Sequence, residues 1–333
     1  MPLLLTRRDV ESVLTMKEAL AAVEEGFRRL GQGRAIMPQR TAIRMPEHHG
    51  LHLGMPAFIG ADAPDDPAGG ALALKVVTVY PDNPSKHKLP TTIGTLLLND
   101  PRTGALLAIM DAGFMTAMRT GAASGVATKH LARADARTVG VFGAGIQARA
   151  QLAAVAEVRR IEKAVVCDIS REAREQYAAA MSAQLGIPVE PTDDPRRCLE
   201  GDIVIAATSS RTPLFDGALL RAGQHLNGIG AHAPDTREFD TRTMQRAKVV
   251  ADLPSACLAE AGELIIPIRE GAFGEERIHA GLGEIVAGLK PGRASDEEIT
   301  LFKSVGLAIQ DAATAARVFR LAKERGVGTE ITI

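Results

Sequence analysis

The spacing of the apolar residues predicts helices at the start of the chain and strands after them. Four apolar residues recur at intervals of three and four positions, as on one face of an amphipathic helix: Leu20, Val23, Phe27 and Leu30. Thr15, with Glu18 three residues later, has the form of a capping box, and Gly31 follows the last apolar position. The pattern predicts a helix over 15–31, preceded by a shorter helix over 6–14.

A run of short strands follows between residues 40 and 110. Apolar residues cluster in five segments that Pro- and Gly-containing turns separate: 41–45, 51–58, 71–80, 92–98 and 105–110. The sequence D-P-R-T-G at 100–104 predicts a hairpin between the last two. We therefore expect a mostly antiparallel α+β region, to which the tail at 328–333 can add a strand.

A third pattern begins after a helix predicted over 115–131. Six short apolar segments then alternate with helical segments: 138–142, 163–167, 187–190, 203–207, 224–229 and 248–252. This alternation is typical of a doubly wound parallel sheet. A long final helix is predicted over 296–323, ending at Gly326. The fold class is therefore α/β.

Composition narrows the classes of function. The 333 residues are enough for one large or two ordinary domains, and 46% hydrophobic residues support a real core. A net charge of −1 and only 3% aromatic residues argue against nucleic acid or an anionic membrane as partner. The three cysteines form no metal or disulfide pattern, and the apolar start at 1–5 is too short for a signal or spanning segment. We expect a soluble, cytoplasmic protein.

Residues 138–148, T-V-G-V-F-G-A-G-I-Q-A, are the most informative stretch. An apolar strand runs into a G-x-G-x-x-A turn, and an Ala-rich helix follows. Such a turn lets backbone approach a pyrophosphate, whose charge the free N–H groups of the helix N-terminus favour. The predicted cofactor contacts here are Gly143, Ala144, Gly145, Ile146 and Gln147.

Asp168 ends the next predicted strand, 25 residues after Gly143 (168 − 143), near the spacing expected of an acid that binds the ribose hydroxyls of NAD. A carboxylate there repels a 2′-phosphate, so NAD(H) is favoured over NADP, although Arg171 lies near enough to weaken the preference. The alternative is that Asp168 only caps the following helix; the two roles are compatible.

Seven segments together resemble the ornithine cyclodeaminase/mu-crystallin family. They occur in the family's order and cover nearly the whole chain: M-P-Q-R-T at 37–41, G-M-P-A at 54–57, L-K-V at 74–76, Asp111 with M-R-T-G-A-A at 118–123, G-A-G-I-Q-A at 143–148, N-G-I-G at 227–230 and F-K-S-V-G at 302–306. Within the family, the segments at 289–300 and 306–311 are most similar to the archaeal NAD-dependent alanine dehydrogenase.

The resemblance implies a homodimer with two domains per subunit. Residues 1–115 with 305–333 would form an α+β domain that binds substrate, pairs the subunits and is completed by the C-terminal helix. Residues 116–304 would form the Rossmann domain that binds NAD. Further cofactor contacts implied by the family are Thr91, Arg119, Thr208 or Ser209, Gly230, and Ser304 within the last helix.

Three basic residues are candidates for the chemistry. Arg40 matches the family's carboxylate-binding arginine, and Arg119 is placed to touch both substrate and cofactor; a guanidinium binds a carboxylate through two parallel bonds. Lys75 lies in an otherwise apolar strand, where burial lowers the pKa of a lysine toward a useful acid or base. Alternatively, Lys75 faces the wet side of its strand.

Two histidine-containing segments need separate interpretations. His232 stands where the ornithine cyclodeaminases and the archaeal alanine dehydrogenase carry a catalytic Asp, which puts ornithine as substrate in doubt. It either relays a proton or merely lines the pocket. The group His48, His49 and His52 lacks the spacing of paired metal ligands, so a solvated loop is favoured and no metal is expected.

The sequence thus predicts an NAD(H)-dependent oxidoreductase of small L-amino or imino acids, of the alanine dehydrogenase or cyclic ketimine reductase type. Arg40 and Arg119 would hold the carboxylate, and Lys75 would exchange the proton. The partner is a small amino, imino or keto acid. Two alternatives stay open: an ornithine cyclodeaminase that uses NAD catalytically, and a non-catalytic crystallin-like protein that binds NAD(P)H and a small ligand.

Overall fold

Two eight-stranded sheets, each with its own helices, divide the chain between two units. The computed structural model describes residues 1–62 and 70–332. Unit 1 comprises Met1–Arg119 with Leu307–Ile333, and unit 2 comprises Thr120–Gly306. The last segment of the chain therefore returns to the unit that the first segment builds.

The strands of the described residues are short, and most have two to six residues. In chain order they are β1 (Leu3–Leu5), β2 (Ala35–Ile36), β3 (Thr41–Met45), β4 (Gly50–Ile59), β5 (Ala71–Val79), β6 (Thr92–Asn99), β7 (Leu106–Asp111), β8 (Thr138–Phe142), β9 (Lys163–Cys167), β10 (Val189–Thr192), β11 (Ile203–Ala206), β12 (His225–Gly228), β13 (Lys248–Ala251), β14 (Ile278–Gly281), β15 (Thr300–Lys303) and β16 (Thr329–Glu330).

The helices range from single turns to nineteen residues. They are α1 (Arg7–Val13), α2 (Met16–Gly31), α3 (Asn83–Lys86), α4 (Gly113–Leu131), α5 (Ile146–Val158), α6 (Arg171–Leu185), α7 (Pro195–Cys198), α8 (Thr241–Arg246), α9 (Pro254–Glu260), α10 (Gly262–Arg269), α11 (Leu282–Val286) and α12 (Ala308–Arg325), with 3₁₀ turns at Pro46–His48, Gly217–Leu219 and Glu275–Arg277.

The sheet of unit 1 is mostly antiparallel, as the strand pattern predicts. Its order is β16-β1-β7-β6-β5-β4-β2, with β3 on β4. The D-P-R-T-G segment joins β6 to β7 as the expected hairpin, and the tail strand β16 pairs with β1. The β1–β7 pair is the parallel exception.

Helices α2 and α12 pack together over one face of this sheet and bury its alternate residues. Thr15 caps α2 by accepting from the amide of Glu18, while the complete capping box lies one helix earlier, at Thr6 and Asp9. Phe27 of α2 is fully buried, and burying such a side chain contributes about 1.5–3 kcal/mol. Arg317 of α12 pairs with Glu18 of α2 at 2.5 Å.

The sheet of unit 2 is parallel and doubly wound, in the order β10-β9-β8-β11-β12-β15-β13-β14. All its strand pairs are parallel. The chain starts at β8, runs outward through β9 and β10, and then crosses to β11 on the other side. The carboxyl ends of β8 and β11 therefore flank the switch point, where ligands bind in open α/β sheets.

The single long helix predicted over 296–323 is wrong. The structure has strand β15 (Thr300–Lys303) and, after a break, helix α12 (Ala308–Arg325). The four residues of β15 are fully buried between β12 and β13, so tertiary packing overrides their helical periodicity. Gly306, at φ +82°, lies within the break at 304–307. Strand β14 was also missed, and the predicted strand at 187–190 lies at Val189–Thr192.

Candidate functional site

Lys75 lies on the buried face of β5, which rules out the alternative that it faces solvent. Alternate residues of this strand, Ala71, Ala73, Lys75 and Val77, point to the same side. The lysine is only 1% exposed. Because burying an unpaired ammonium costs free energy, Lys75 requires a partner of opposite charge.

That partner is Asp311 in the first turn of α12, which sequence reasoning missed. Lys75 Nζ lies 2.8 Å from Asp311 Oδ2 and 2.9 Å from Oδ1. Arg119 Nε lies 2.9 Å from Oδ1 of the same carboxylate, and Arg119 also donates to Gln310 Oε1 at 2.6 Å. These four residues form the Lys75 cluster. A signal existed, since Gln310 and Asp311 interrupt a largely apolar run on a helix.

The Lys75 cluster shifts the lysine's acidity. Burial is the main cause that lowers the pKa of Lys75 to about 8, and the positive charge of Arg119 lowers it further. Asp311 opposes the shift by stabilising the charged form, and the cation Arg40 adds a smaller lowering. An amine with this pKa exchanges protons readily near neutral pH.

Two buried cations share one carboxylate at this site. Among the described residues, Lys75 and Arg119 both pair with Asp311, and the cation Arg40 also lowers the pKa of Lys75. In addition, Nε2 of Gln310 is buried without a hydrogen-bond acceptor among the described residues. A surplus of positive charge and a spare donor suit a small carboxylate. Thr91, the remaining predicted contact in unit 1, is exposed beside the start of β6.

In unit 2 the G-x-G-x-x-A turn has the geometry that a dinucleotide needs. Gly143 has φ +97°, and a Cβ there would lie 2.5 Å from the carbonyl oxygen of Ala207, so only glycine fits. Gly145 is the N-cap of α5, and a Cβ placed on it would meet no other atom within 4 Å, so the space beside this residue is open. Ile146 is 75% exposed at the first turn of α5, and Gln147 follows it. The turn therefore presents the open N-terminus of a helix.

Asp168 connects the end of β9 to this turn. Its Oδ2 accepts from the amide of Ala144 at 2.9 Å, and its Oδ1 accepts from the amide of Ser170 at 2.8 Å. The alternative that Asp168 caps the next helix is wrong, because Ser170 caps α6. A carboxylate has about four acceptor sites, so two stay available for ribose hydroxyls. Arg171 pairs instead with Glu175 at 2.7 Å.

The loops after β11 and β12 are joined by Glu238, a second residue that sequence reasoning missed. Its carboxylate accepts from the amide of Thr208 at 2.7 Å and from that of Gly230 at 2.7 Å. The hydroxyl of Thr208 donates to it at 2.8 Å. These bonds bring two of the predicted cofactor contacts together, while the neighbouring Ser209 is exposed.

Ser304 is not in a helix, contrary to prediction. It follows β15, and its hydroxyl donates to Asp252 Oδ2 at 2.7 Å. The amides of Val305 and Gly306 donate to the same oxygen at 2.9 Å each. Asp252 is fully buried, so it organises this loop as Glu238 organises the other two.

His232 is exposed in the loop after β12, and its Nδ1 lies 2.9 Å from the carbonyl oxygen of Gly230. Since a carbonyl only accepts, Nδ1 carries the hydrogen. In the neutral ring Nε2 then has the free lone pair, which is the tautomer that a proton acceptor needs. The proton relay and the pocket lining proposed for His232 both stay predictions.

The described residues contain no group of three or more His, Cys, Asp or Glu side chains that could hold a metal ion. His48 ends a 3₁₀ turn, His52 lies on β4, and His49 is exposed and lies 3.3 Å from Asp82. Among the same residues, no helix is both long enough and apolar enough to cross a bilayer.

Known proteins resemble this chain over its whole length. The alanine dehydrogenase of Archaeoglobus fulgidus is 39% identical over 331 residues, which cover 99% of this chain and 98% of that protein. Among solved structures, the Δ1-pyrroline-2-carboxylate reductase of Thermococcus litoralis, in complex with NADH and L-proline, is 48% identical. It superposes with a TM-score of 0.93 and covers 99% of this chain and 100% of that one.

A second solved structure, an archaeal alanine dehydrogenase dimer with bound NAD, is 37% identical and has a TM-score of 0.92 over 100% of this chain and 99% of that one. The family model described as "Ornithine cyclodeaminase/mu-crystallin family" matches residues 1–326. The chain belongs to the ornithine cyclodeaminase/mu-crystallin family.

Proposed function

We propose that this protein is an NAD(H)-dependent oxidoreductase of small L-amino or cyclic imino acids. Two relatives that match 99% of this chain support it, because they are named as alanine dehydrogenase and Δ1-pyrroline-2-carboxylate reductase. The coenzyme assignment is supported by solved relatives that hold NADH or NAD, and by the open turn and carboxylate at Gly143 and Asp168.

The observation that carries the proposal is the buried, partly compensated lysine of unit 1. Burial brings the pKa of Lys75 to about 8, so at neutral pH it is mostly protonated and able to give up its proton. Arg119 and Arg40 supply the positive charge that a substrate carboxylate requires. A protein that only binds ligand has no need of a lysine tuned in this way.

The reaction follows from these groups. NADH, when bound, would supply a hydride to the Cα carbon of a C=N bond. Lys75 would give its ammonium proton to the imine nitrogen, and the products would be the L-amino acid, NAD⁺ and neutral Lys75, which regains a proton before the next turnover. Arg40 and Arg119 hold the carboxylate throughout. In the reverse direction, neutral Lys75 removes the proton from the amine.

The substrates to test first are Δ1-pyrroline-2-carboxylate, and pyruvate with ammonia. The proline-bound relative, at 48% identity, favours the cyclic imine. His232 disfavours ornithine, since the diamine needs an acidic group, and an imidazole with Nδ1 already donating to Gly230 offers none. Asp168 favours NADH over NADPH.

We also propose the assembly and its compartment. Unit 1 would bind substrate and pair two subunits, with support from the dimeric archaeal relative and from exposed apolar residues on unit 1: Ile36, Ile43, Leu89 and Ile93. Unit 2 would bind the coenzyme. Three free cysteines fit a reducing compartment, and we propose the cytoplasm.

A substrate panel tests the function. Purified protein is mixed with NADH and either cyclic imines or keto acids with ammonia, and absorbance of the reduced nicotinamide is followed. We expect stoichiometric loss of NADH with a cyclic imine or with pyruvate. No NADH loss across the panel would contradict the proposal. Proline and ammonia formed from ornithine with no net NADH change would identify a cyclodeaminase instead.

A further inference from the structure

Three charged side chains inside unit 2 have no part in the chemistry described above. Glu238, Glu263 and Lys303 are each fully buried. Lys303 ends strand β15, Glu263 lies in the first turn of α10, and Glu238 lies in the loop between β12 and α8. We call them the Glu238 triad. Burying each ion costs several kcal/mol of desolvation free energy, so each must make compensating contacts with the protein.

The contacts of the Glu238 triad converge on one short segment of backbone. Glu238 accepts from the amides of Gly230 and Ala231 at 2.7 and 3.3 Å. Lys303 Nζ donates to the carbonyl oxygen of Ala231 at 2.6 Å. The backbone N–H and the carbonyl oxygen of Ala231 are therefore both bound by charged side chains, which make stronger hydrogen bonds than neutral partners do.

The triad is also fixed within itself. Glu263 pairs with Lys303 at 3.2 Å, and its other oxygen accepts from the amide of Glu238 at 3.0 Å. Burial raises the pKa of Glu238, and the charge of Lys303 partly offsets that rise. Lys303 thus helps keep Glu238 in the ionised form that accepts all of its hydrogen bonds.

The same carboxylate reaches a second loop. Its Oε1 accepts from both the amide and the hydroxyl of Thr208, so the loops after β11 and β12 share one anchor. Space is tight there: a Cβ on Gly230 would lie 2.1 Å from the carbonyl oxygen of Thr208 and 2.6 Å from Glu238 Oε1. The carbonyl of Gly230 in turn receives the Nδ1 hydrogen of His232.

We propose that Glu238 is a positioning residue for the coenzyme, which holds the loops of Thr208 and Gly230 in their binding geometry before NADH arrives. The proposal rests on the proposed function, because it takes these two loops as coenzyme contacts. In this role Glu238 acts through the two loops that it binds and not by contact with substrate or coenzyme. Because the two loops are already ordered, coenzyme binding does not have to pay the entropic cost of ordering them.

The matched control is Asp202, which lies at the amino-terminal ends of the strands of the same sheet, just before β11. Its carboxylate accepts from the amides of Arg137 and Thr138 at 2.9 and 3.0 Å, and from the hydroxyl of Thr138 at 2.8 Å. Like Glu238, it binds two backbone amides and one threonine hydroxyl, and it also pairs with Arg133 at 2.9 Å. However, it lies where β8 begins, whereas the dinucleotide turn follows the end of β8.

The experiment compares Glu238→Gln with Asp202→Asn in the full-length protein. NADH binding is measured by fluorescence titration, at a temperature well below the melting temperature of each variant. In Glu238→Gln, an NH₂ group faces backbone donors whichever way the amide turns, so at least one loop is released. We expect the NADH dissociation constant to rise about tenfold, or about 1.4 kcal/mol. The Michaelis constant for the imine should stay within about twofold.

Asp202→Asn should lower the melting temperature and leave NADH affinity unchanged. Unchanged affinity in Glu238→Gln, or an equal loss in both variants, would overturn the positioning role while leaving the proposed function intact. If the wild-type protein itself binds no NADH, the proposed function fails and the positioning role fails with it.

A measurement on the wild-type protein covers the case in which Glu238→Gln does not fold. Hydrogen–deuterium exchange without coenzyme should show slow exchange in the peptides that contain the amides of Thr208, Gly230 and Ala231, because Glu238 binds all three. Exchange at the rate of an exposed loop would contradict the inference.

Discussion

The Lys75 cluster of unit 1 and the Glu238 triad of unit 2 are both buried sets of charges, but their balance differs. Among the described residues around Lys75, two buried cations, Lys75 and Arg119, share the carboxylate of Asp311. In the Glu238 triad, one lysine serves two carboxylates, and backbone amides saturate Glu238. The first set has capacity left for an anionic ligand. In the second, the acceptor sites of Glu238 are filled by the protein itself.

This difference distinguishes charged groups that take part in the reaction from charged groups that fix the backbone. A buried carboxylate whose acceptor sites are all filled within the fold fixes the backbone that it binds. A buried charge that is only partly compensated attracts a ligand of opposite sign. The comparison therefore predicts that changes around Lys75 alter turnover, while changes around Glu238 alter coenzyme affinity.

Lys75→Met should have the largest effect. The methionine keeps the length of the side chain but removes the proton donor, so we expect turnover to fall about 10³-fold, within the usual range for a general acid. NADH affinity should be unchanged. Both are measured by absorbance and fluorescence on the same preparation. Lys86→Met is the control, since Lys86 pairs with Asp82 on the surface. Full activity in Lys75→Met would remove this residue from the mechanism.

Asp311→Asn should come next. Asp311 is the group that raises the pKa of Lys75 against burial, so its loss lowers that pKa below about 8. Imine reduction at neutral pH should fall roughly 10- to 100-fold, and its alkaline limb should move to lower pH. The thermal midpoint should also drop, because two buried cations lose their anion.

The control for Asp311→Asn is Glu18→Gln. Glu18 lies on α2 and pairs with Arg317, which is on α12 like Asp311. That ion pair is partly exposed and should contribute little. An unshifted pH profile in Asp311→Asn would show that Asp311 does not act on Lys75.

The pH dependence of the wild-type enzyme should differ between the two directions. Reduction needs protonated Lys75, so its kcat/KM should fall about tenfold per pH unit above pH 8. Oxidation needs the neutral amine of Lys75, so its kcat/KM should rise with pH until about pH 8. A pH series in each direction, with the coenzyme saturating, checks the two limbs. Limbs of the same sign would contradict the assignment of Lys75.

Asp168→Ala should have the smallest effect. Loss of the ribose ligand is expected to weaken NADH binding about tenfold and to leave NADPH binding unchanged or improved, because an anion near the 2′-phosphate is removed. Both affinities are obtained by fluorescence titration. Asp193→Ala is the control, as that side chain is 85% exposed. An unchanged preference between the two coenzymes would refute the assignment.

The sequence predicted what local patterns determine. Strand alternation, the hairpin at 100–104 and the turn at Gly143 depend on neighbouring residues, and the structure confirms them. The family and α/β fold class are confirmed as well. Arg40, Lys75 and Arg119 were singled out by residue type and resemblance, and their catalytic roles stay predictions.

The residues that were missed share a different property. Asp311 meets Lys75 across 236 positions of sequence, and Glu238 reaches Thr208 across 30. No spacing rule connects such pairs, because tertiary packing brings them together. The same reason explains why β15 was predicted as helix. Its short apolar segment fits a helix as well as a strand, and only its position between two buried strands decides between them.

The position of Asp311 on α12 has a consequence for the newly made protein. Lys75 leaves the ribosome 236 residues before its counter-ion. At about 5–20 residues per second, translation of that interval takes on the order of ten seconds to a minute. During that time the sheet of unit 1 exposes an apolar face with a solvated lysine in it, and the active form of that lysine exists only after α12 has docked. Nascent chains stalled before α12 should therefore bind chaperones through this face.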